Sequence, residues 1–238
     1  MIVLGIETAT LVCSVAVVTA DKMLAEYTQQ AKKTHSERLL PLIDSLLKDI
    51  GLKVNDLNGI AVAAGPGSFT GLRIGMVTAK SLAQVLDIPL YGVPTLEALA
   101  AQHPHFPGII SPILDARRKQ VYNALFLPAE EPQRLTAERA LPLTDLLQEL
   151  EQEREKVLFV GDAVPVYRQL IKEKLGDRAH LLPAEASICR AATVARLGLK
   201  RMSAGCTHSW HDLVPFYVRL SEAERKYLRS LKEGGDFC

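Results

Sequence analysis

The residues that could do chemistry lie far apart along the chain. Glu7 ends the apolar run 1–6, and a carboxylate there could hold a cation or move a proton. His35-Ser36-Glu37 combines acid, base and hydroxyl. Side chains at adjacent helix positions point different ways, so the three read more simply as a capped, polar helix start. Gly65-Pro66-Gly67-Ser68-Phe69-Thr70-Gly71-Leu72-Arg73-Ile74-Gly75 could be an anion nest at a helix N-terminus, where free N–H groups and the helix dipole favour phosphate. It lacks the GxxxxGK[ST] spacing of a P-loop, and Lys80 is too far along to serve. Packing explains it better. Gly71, Gly75, Ala79 and Ala83 recur every four residues, a smooth stripe that lets another backbone approach closely. Spacing does not say whether that neighbour is the chain's own sheet or another subunit.

The six histidines, His35, His103, His105, His180, His208 and His211, include no i, i+4 pair that would put two imidazoles on one helix face. His208 and His211 with Asp212 beside Trp210 read as loop packing rather than a metal centre. Asp115-Ala116-Arg117-Arg118-Lys119-Gln120-Val121-Tyr122 carries three adjacent bases that could touch RNA phosphates; short charge runs more often face water. The same holds for Arg190, Arg196, Lys200 and Arg201.

The elements that position these groups follow from periodicity. Runs 2–7, 11–18 and 23–29 read as a three-strand meander. Leu39, Leu42, Ile43, Leu46, Leu47 and Ile50 predict a helix capped by Thr34 or Ser36 and ended by Gly51, with Pro41 kinking it or splitting off its first turn. A buried strand over 59–64 leads through the glycine segment into a helix reaching Leu86. A strand over 90–93 and a helix over 95–102 complete an α/β half. His103-Pro104-His105-Phe106-Pro107-Gly108 marks a lobe boundary. Beyond it come strands over 109–115 and 120–127, an irregular Glu- and Pro-rich stretch, a helix over 143–152, a strand over 157–161, and helices over 165–175 and 188–202. Leu220, Tyr227, Leu228 and Leu231 predict a final amphipathic helix. No short-period repeat is visible.

Lys plus Arg is 28 against Asp plus Glu 27, a net charge of +1, so the chain lacks the basic excess of a free-standing nucleic-acid binder. Any service to RNA should run mainly through a partner. Glu7 interrupts the apolar first twenty residues, which argues against a membrane anchor and for strands. Cys13, Cys189, Cys206 and Cys238 form no CxxC pair and suit reduced thiols of a cytoplasmic protein.

In order along the chain, Gly5-Ile6-Glu7-Thr8-Ala9-Thr10, Cys13-Ser14-Val15-Ala16, His35-Ser36-Glu37-Arg38-Leu39-Leu40-Pro41, the segment from Gly65 to Gly75, Asp115-Ala116-Arg117 with Val121-Tyr122, and Val214-Pro215-Phe216-Tyr217-Val218-Arg219 resemble the TsaB (YeaZ) family. This is the partner subunit of bacterial tRNA threonylcarbamoyladenosine synthase. The resemblance implies an α/β, two-lobed actin/Hsp70/sugar-kinase-like fold with a mixed sheet flanked by helices in each lobe. The first lobe would span 1–103 and the smaller second lobe 104–216, with a C-terminal helix at about 217–233 packing back on the first. It also implies a non-catalytic scaffold without cofactor or metal, since the His-x-x-x-His pair of the catalytic relative TsaD is missing. The expected partners are a TsaD-type catalytic subunit and a TsaE-type ATPase. A homodimer is expected when the chain is alone, tRNA is reached mainly through the complex, and no membrane is involved. The family's pairing helices correspond to those starting at His35 and Phe69. That places His35, Arg38, Leu39, Leu42, Gly71, Leu72, Arg73, Gly75, Met76 and Ala79 at the partner interface. Glu7 stands where many TsaB sequences have Asp, and in sugar-kinase relatives an acid near this strand end helps hold Mg²⁺-nucleotide. An actin-fold kinase of small metabolites is therefore the rival reading, ahead of a peptidase.

Overall fold

A computed structural model describes residues 1–30 and 34–219. Strands β1 (Val3–Glu7), β2 (Cys13–Val18) and β3 (Met23–Gln29) form the expected meander, followed by α1 (His35–Asp49), β4 (Gly59–Gly65), α2 (Phe69–Leu86), β5 (Leu90–Pro94) and α3 (Thr95–Ala101). The second half repeats the order. It runs β6 (Ile109–Asp115), β7 (Gln120–Asn123), the short β8 (Phe126–Leu127) and β9 (Gln133–Arg134), then β10 (Arg139–Pro142), α4 (Leu143–Glu151), β11 (Val157–Val160), α5 (Val164–Leu175), β12 (Ala179–Leu181) and α6 (Ala191–Ser203).

The two sheets share one plan. The first is ordered β3-β2-β1-β4-β5 and the second β10-β7-β6-β11-β12. In each, the first three strands are antiparallel and the last two join in parallel. β1, β2 and β4 are buried along their whole length, because helices cover both faces of the first sheet.

Local chemistry sets the helix ends. At α1 the Thr34 N–H donates to Glu37 Oε2 (2.9 Å), the reciprocal half of a capping box. Its other end closes on Gly51 at φ +70°, with Gly51 N–H donating to Lys48 O (3.1 Å) and Leu52 N–H to Leu47 O (2.9 Å), a Schellman motif. Pro41 does not divide α1, which runs unbroken through it with Pro41 exposed.

Three apolar clusters organise the interior. One lies between the first sheet and α1 and α2 (Leu4, Ile6, Leu39, Leu46, Met76). Another lies between the second sheet and α4 and α5 (Ile113, Leu146, Phe159, Ile171). The third fills the space around α3 and α6. The boundary placed at 104–216 needs amending, because α6 packs on the first sheet. A Cβ on Gly5 would overlap Ala191 O, and one on Gly198 would overlap the Ala61 Cβ. Glu26 of β3 fixes the N-terminus of α6, accepting from Ala192 N–H (2.9 Å) and pairing with Arg190. A strap at 206–219 then follows the first lobe, where His208 N–H donates to Leu90 O (2.8 Å) and Phe216 N–H to Ala64 O (2.7 Å). The chain thus returns to the first lobe at α6 rather than at 217. Leu220, Tyr227, Leu228 and Leu231, the expected last helix, lie outside the described residues. Cys13 and Cys189 are buried free thiols, and Cys206 is an exposed one.

Candidate functional site

α1 and α2 lie side by side on one face of the first sheet, and their buried faces account for most residues expected at the interface. Leu39, Leu42, Leu72 (0% exposed), Met76 (2%) and Ala79 point into this chain's own core. The small-residue stripe has an intramolecular neighbour. A Cβ at Gly71 would overlap Thr8 O, and one at Gly75 would overlap Thr8 Oγ1. Thr8 Oγ1 itself donates to Gly71 O (2.8 Å). The glycines therefore admit the end of β1, and Leu72 and Met76 are buried within this chain's own core.

His35 and Arg38 are also internal in role. Arg38 donates to Gln29 O (3.0 Å), Thr34 O (3.4 Å) and His35 Nδ1 (3.3 Å). With Nδ1 accepting, His35 Nε2–H donates to Thr10 O (3.1 Å). Burial, opposed by the Thr10 bond and aided by the Arg38 charge, lowers the His35 pKa, so a neutral imidazole ties α1 to the β1–β2 turn. Of the ten expected residues, Arg73 is the one whose side chain is exposed. Its Nε donates to Tyr217 Oη (3.1 Å) and its guanidinium lies 3.9 Å from the Phe69 ring centroid, while the Tyr217 and Phe69 rings stack at 4.9 Å.

The opposite face of α2 is open and partly apolar, whereas that of α1 is polar apart from Leu40 and Pro41. Val77 is 63% exposed, Val85 82% and Leu40 57%. Arg73, Val77, Ser81 and Val85 form one i+4 row along α2, on the side away from the glycine stripe. The strap widens this surface with exposed Val214 and Phe216, while buried Leu213 anchors it and Lys80 Nζ donates to Leu213 O (3.0 Å). The periodicity that exposed the glycine stripe also carried these residues. Their signal was an apolar row opposite a face already assigned to packing.

Glu7 occupies the end of β1 with 0% exposure. Its Oε1 accepts from Ala9 N–H (2.7 Å) and Thr10 N–H (3.0 Å), and its Oε2 from Thr10 Oγ1 (2.9 Å). Burial pushes its pKa up to about 8 against the pull of these bonds, and the charge of Asp162 adds to the rise. Asp162, following β11 in the other lobe, is itself raised, chiefly by burial, and its Oδ1 accepts from Asp115 N–H (2.9 Å). The charge of Asp162 thus reaches Glu7 only as the smallest influence on it, and Glu7 is enclosed by the turn it shapes.

A pH effect follows. Folded Glu7 holds its proton to about 8 and the unfolded group to 4.5, so its contribution is complete below 4.5 and is lost as pH rises through 8. Glu7→Gln keeps both acceptor bonds to the backbone. Denaturant titrations between pH 5 and 8 will show the variant losing less stability than the parent, by up to ~1.4 kcal/mol per pH unit. Equal slopes for the two proteins would contradict this.

The glycine segment does not present an open anion nest. Ser68 caps α2 by accepting from Gly71 N–H (3.3 Å), Ser68 N–H donates to Ala9 O (2.7 Å), and Gly67 lies against Ala9. His208 Nδ1 accepts from Gly92 N–H (3.2 Å), so that imidazole secures the strap to the β5 edge. Among the described residues no three His, Cys, Asp or Glu side chains are grouped to hold a metal ion, and no helix is long and apolar enough to cross a membrane.

Over residues 22–227 the chain matches the family model described as TsaD: tRNA N6-adenosine threonylcarbamoyltransferase. It is 40% identical over 233 residues to the tRNA threonylcarbamoyladenosine biosynthesis protein TsaB of Bacillus subtilis (strain 168), an alignment covering 98% of this chain and 100% of the relative. The chain belongs to the TsaB family. A solved Pseudomonas aeruginosa protein, described as uncharacterized with similarity to peptidase YEAZ, superposes with a TM-score of 0.75 at 25% identity, covering 92% of this chain and 99% of that one. The activator of the 2-hydroxyisocaproyl-CoA dehydratase from Clostridium difficile shares the fold alone, with a TM-score of 0.54 at 9% identity over 86% of this chain and 97% of that one. The actin-like, two-lobed α/β architecture expected of a TsaB chain is the one found.

Proposed function

We propose that this TsaB-family chain serves tRNA threonylcarbamoyladenosine biosynthesis as a non-catalytic scaffold and activator. It seats a TsaD-type catalytic subunit on the outward faces of α1 and α2, and a TsaE-type ATPase engages the pair. Two copies use the same faces when the chain is alone, and tRNA reaches it mainly within the complex. The observation that carries this reading is the exposed row of Arg73, Val77 and Val85 on α2, continued by Leu40 on α1 and by the strap. Such apolar area on paired helices suits burial against another protein. The enclosed Glu7 supports the non-catalytic part, because its lone pairs face its own turn.

One feature favours the kinase reading: a second acidic residue, Asp162 after β11, adds its charge to the rise in the Glu7 pKa. Substrate-dependent ATP hydrolysis by the isolated chain would support that alternative. The deciding assay is threonylcarbamoyl transfer to tRNA by TsaD, TsaE and the threonylcarbamoyl-adenylate synthase, with and without this chain. Activity is expected only when the chain is present, and none from the chain alone. Full activity in its absence would remove the scaffold reading.

A further inference from the structure

The β6–β7 connection holds a conformation that its sequence does not favour. Asp115 pairs with Val121 at the end of the ladder, Ala116 N–H donates to Gln120 O (3.0 Å), and Gln120 N–H donates to Arg117 O (3.1 Å). Within this closed turn Arg117, Arg118 and Lys119 have φ of 63°, 54° and 60°. The two central positions, Arg118 and Lys119, are therefore both left-handed, as in a type I′ hairpin turn, where Asn-Gly relieves the steric conflict of a Cβ. Long cationic side chains are a poor choice for turning the chain, and strain of this kind points to a use for the side chains.

The turn is also held rigidly. Asp115 Oδ1 accepts from Arg117 N–H (2.8 Å), Asp115 Oδ2 lies 3.3 Å from Arg117 Nη1, and Arg219 Nη1 donates to Ala116 O (2.6 Å) from beneath. The corresponding turn of the first lobe uses the same device, Glu7 Oε1 accepting from Ala9 N–H, but it is mostly buried and carries no base. In the second lobe Arg117, Arg118 and Lys119 are all exposed, while Ala116 and Val121 on either side are buried. We infer that this turn is a contact for the phosphate backbone of the RNA on which the assembled complex acts. A protein partner would want an apolar or aromatic anchor at the centre of its contact. The turn presents three exposed cations on a held backbone beside one carboxylate, Asp115, a net positive charge that suits a chain of phosphates. With a net charge of +1 for the whole molecule, the turn adds to RNA binding by the complex rather than supplying it alone.

This inference rests on the scaffold reading above, and the test separates the two. Arg118→Asn combined with Lys119→Gly is made in the full chain and assembled with the TsaD- and TsaE-type subunits. Binding of unmodified tRNA is then titrated at several salt concentrations, and complex mass is measured in parallel by light scattering. The expected result is about tenfold weaker binding with a log–log salt slope shallower by about two. The Tm of the chain should rise by a few degrees, since Asn-Gly fits the turn. Arg118→Lys, which keeps the charge, should bind tRNA like the parent. Affinity and slope unchanged in the double variant would overturn the inference while leaving the scaffold intact. Weakened assembly with unchanged tRNA binding would overturn it in favour of an acidic protein contact. If the parent chain forms no complex, the scaffold reading fails, and the same titration on the isolated chain decides the RNA contact by the same change of slope.

Discussion

On the scaffold reading proposed above, Val77→Glu combined with Val85→Glu gives a chain that folds like the parent and no longer activates threonylcarbamoyl transfer. Both side chains stand well clear of the core, so carboxylates there meet only water in the free protein. In a complex built on the outward face of α2, the same carboxylates would be stripped of water without partners. A charge left unpaired at an interface typically costs ~2–5 kcal/mol, so two should reduce transfer by at least about a hundredfold. Light scattering with a TsaD-type subunit, reconstituted activity and the Tm of the free chain together decide the matter. Full complex mass and activity would remove α2's outward face from the proposed interface, whereas a falling Tm would show that the valines serve the fold.

Gly75→Leu, a substitution that looks like an interface probe on sequence alone, should instead unfold the first lobe. The glycine Cα faces Thr8 Oγ1 so closely that even a Cβ overlaps it, with the Ile6 Cγ2 a further 3.5 Å neighbour. Overpacking of a well-filled core typically costs ~1–3 kcal/mol. Leu here should exceed that range, because the displaced group is a strand end hydrogen-bonded to the helix that would push it. Gly75→Ala should be milder, and Thr8→Ala should partly rescue it by vacating the space that the new methyl needs. A double-mutant cycle on urea midpoints should return a coupling of about 1 kcal/mol or more, as expected for side chains in contact. A parental midpoint for Gly75→Leu, or strict additivity of the two alanine changes, would show that this close approach is not made.

Local signals carried most of the fold. Thr34 or Ser36 as cap and Gly51 as stop bounded α1, the structure choosing Thr34, and the strand–helix alternation of both halves followed from spacing. Short sheet members escaped notice. β9 is the polar pair Gln133–Arg134, β10 (Arg139–Pro142) ends in a proline and β12 has three residues, all too brief for alternation to register. These strands exist because a partner strand holds them, which no single segment encodes. The site divided in the same way. Period four revealed that something lies close against Gly71 and Gly75, but only the tertiary fold names it as Thr8. His35 and Arg38 were legible as polar residues at a helix start. Their bonds to Thr10 and Gln29 come from elements brought there by the sheet. Pro41 was misjudged because a proline in an exposed position can be carried by the rest of a well-packed helix.

The return of α6 to the first sheet has a consequence for synthesis. Gly5 waits for Ala191, so the lobe begun first is finished late, and the second lobe is an insertion within it. As the chain leaves the ribosome, β6 to β12 can close on themselves while one face of the first sheet still lacks its cover. A nascent chain halted before residue 191 should therefore be captured by holdase chaperones, and one released after the strap should not. The order of translation would thus set when the first sheet is closed.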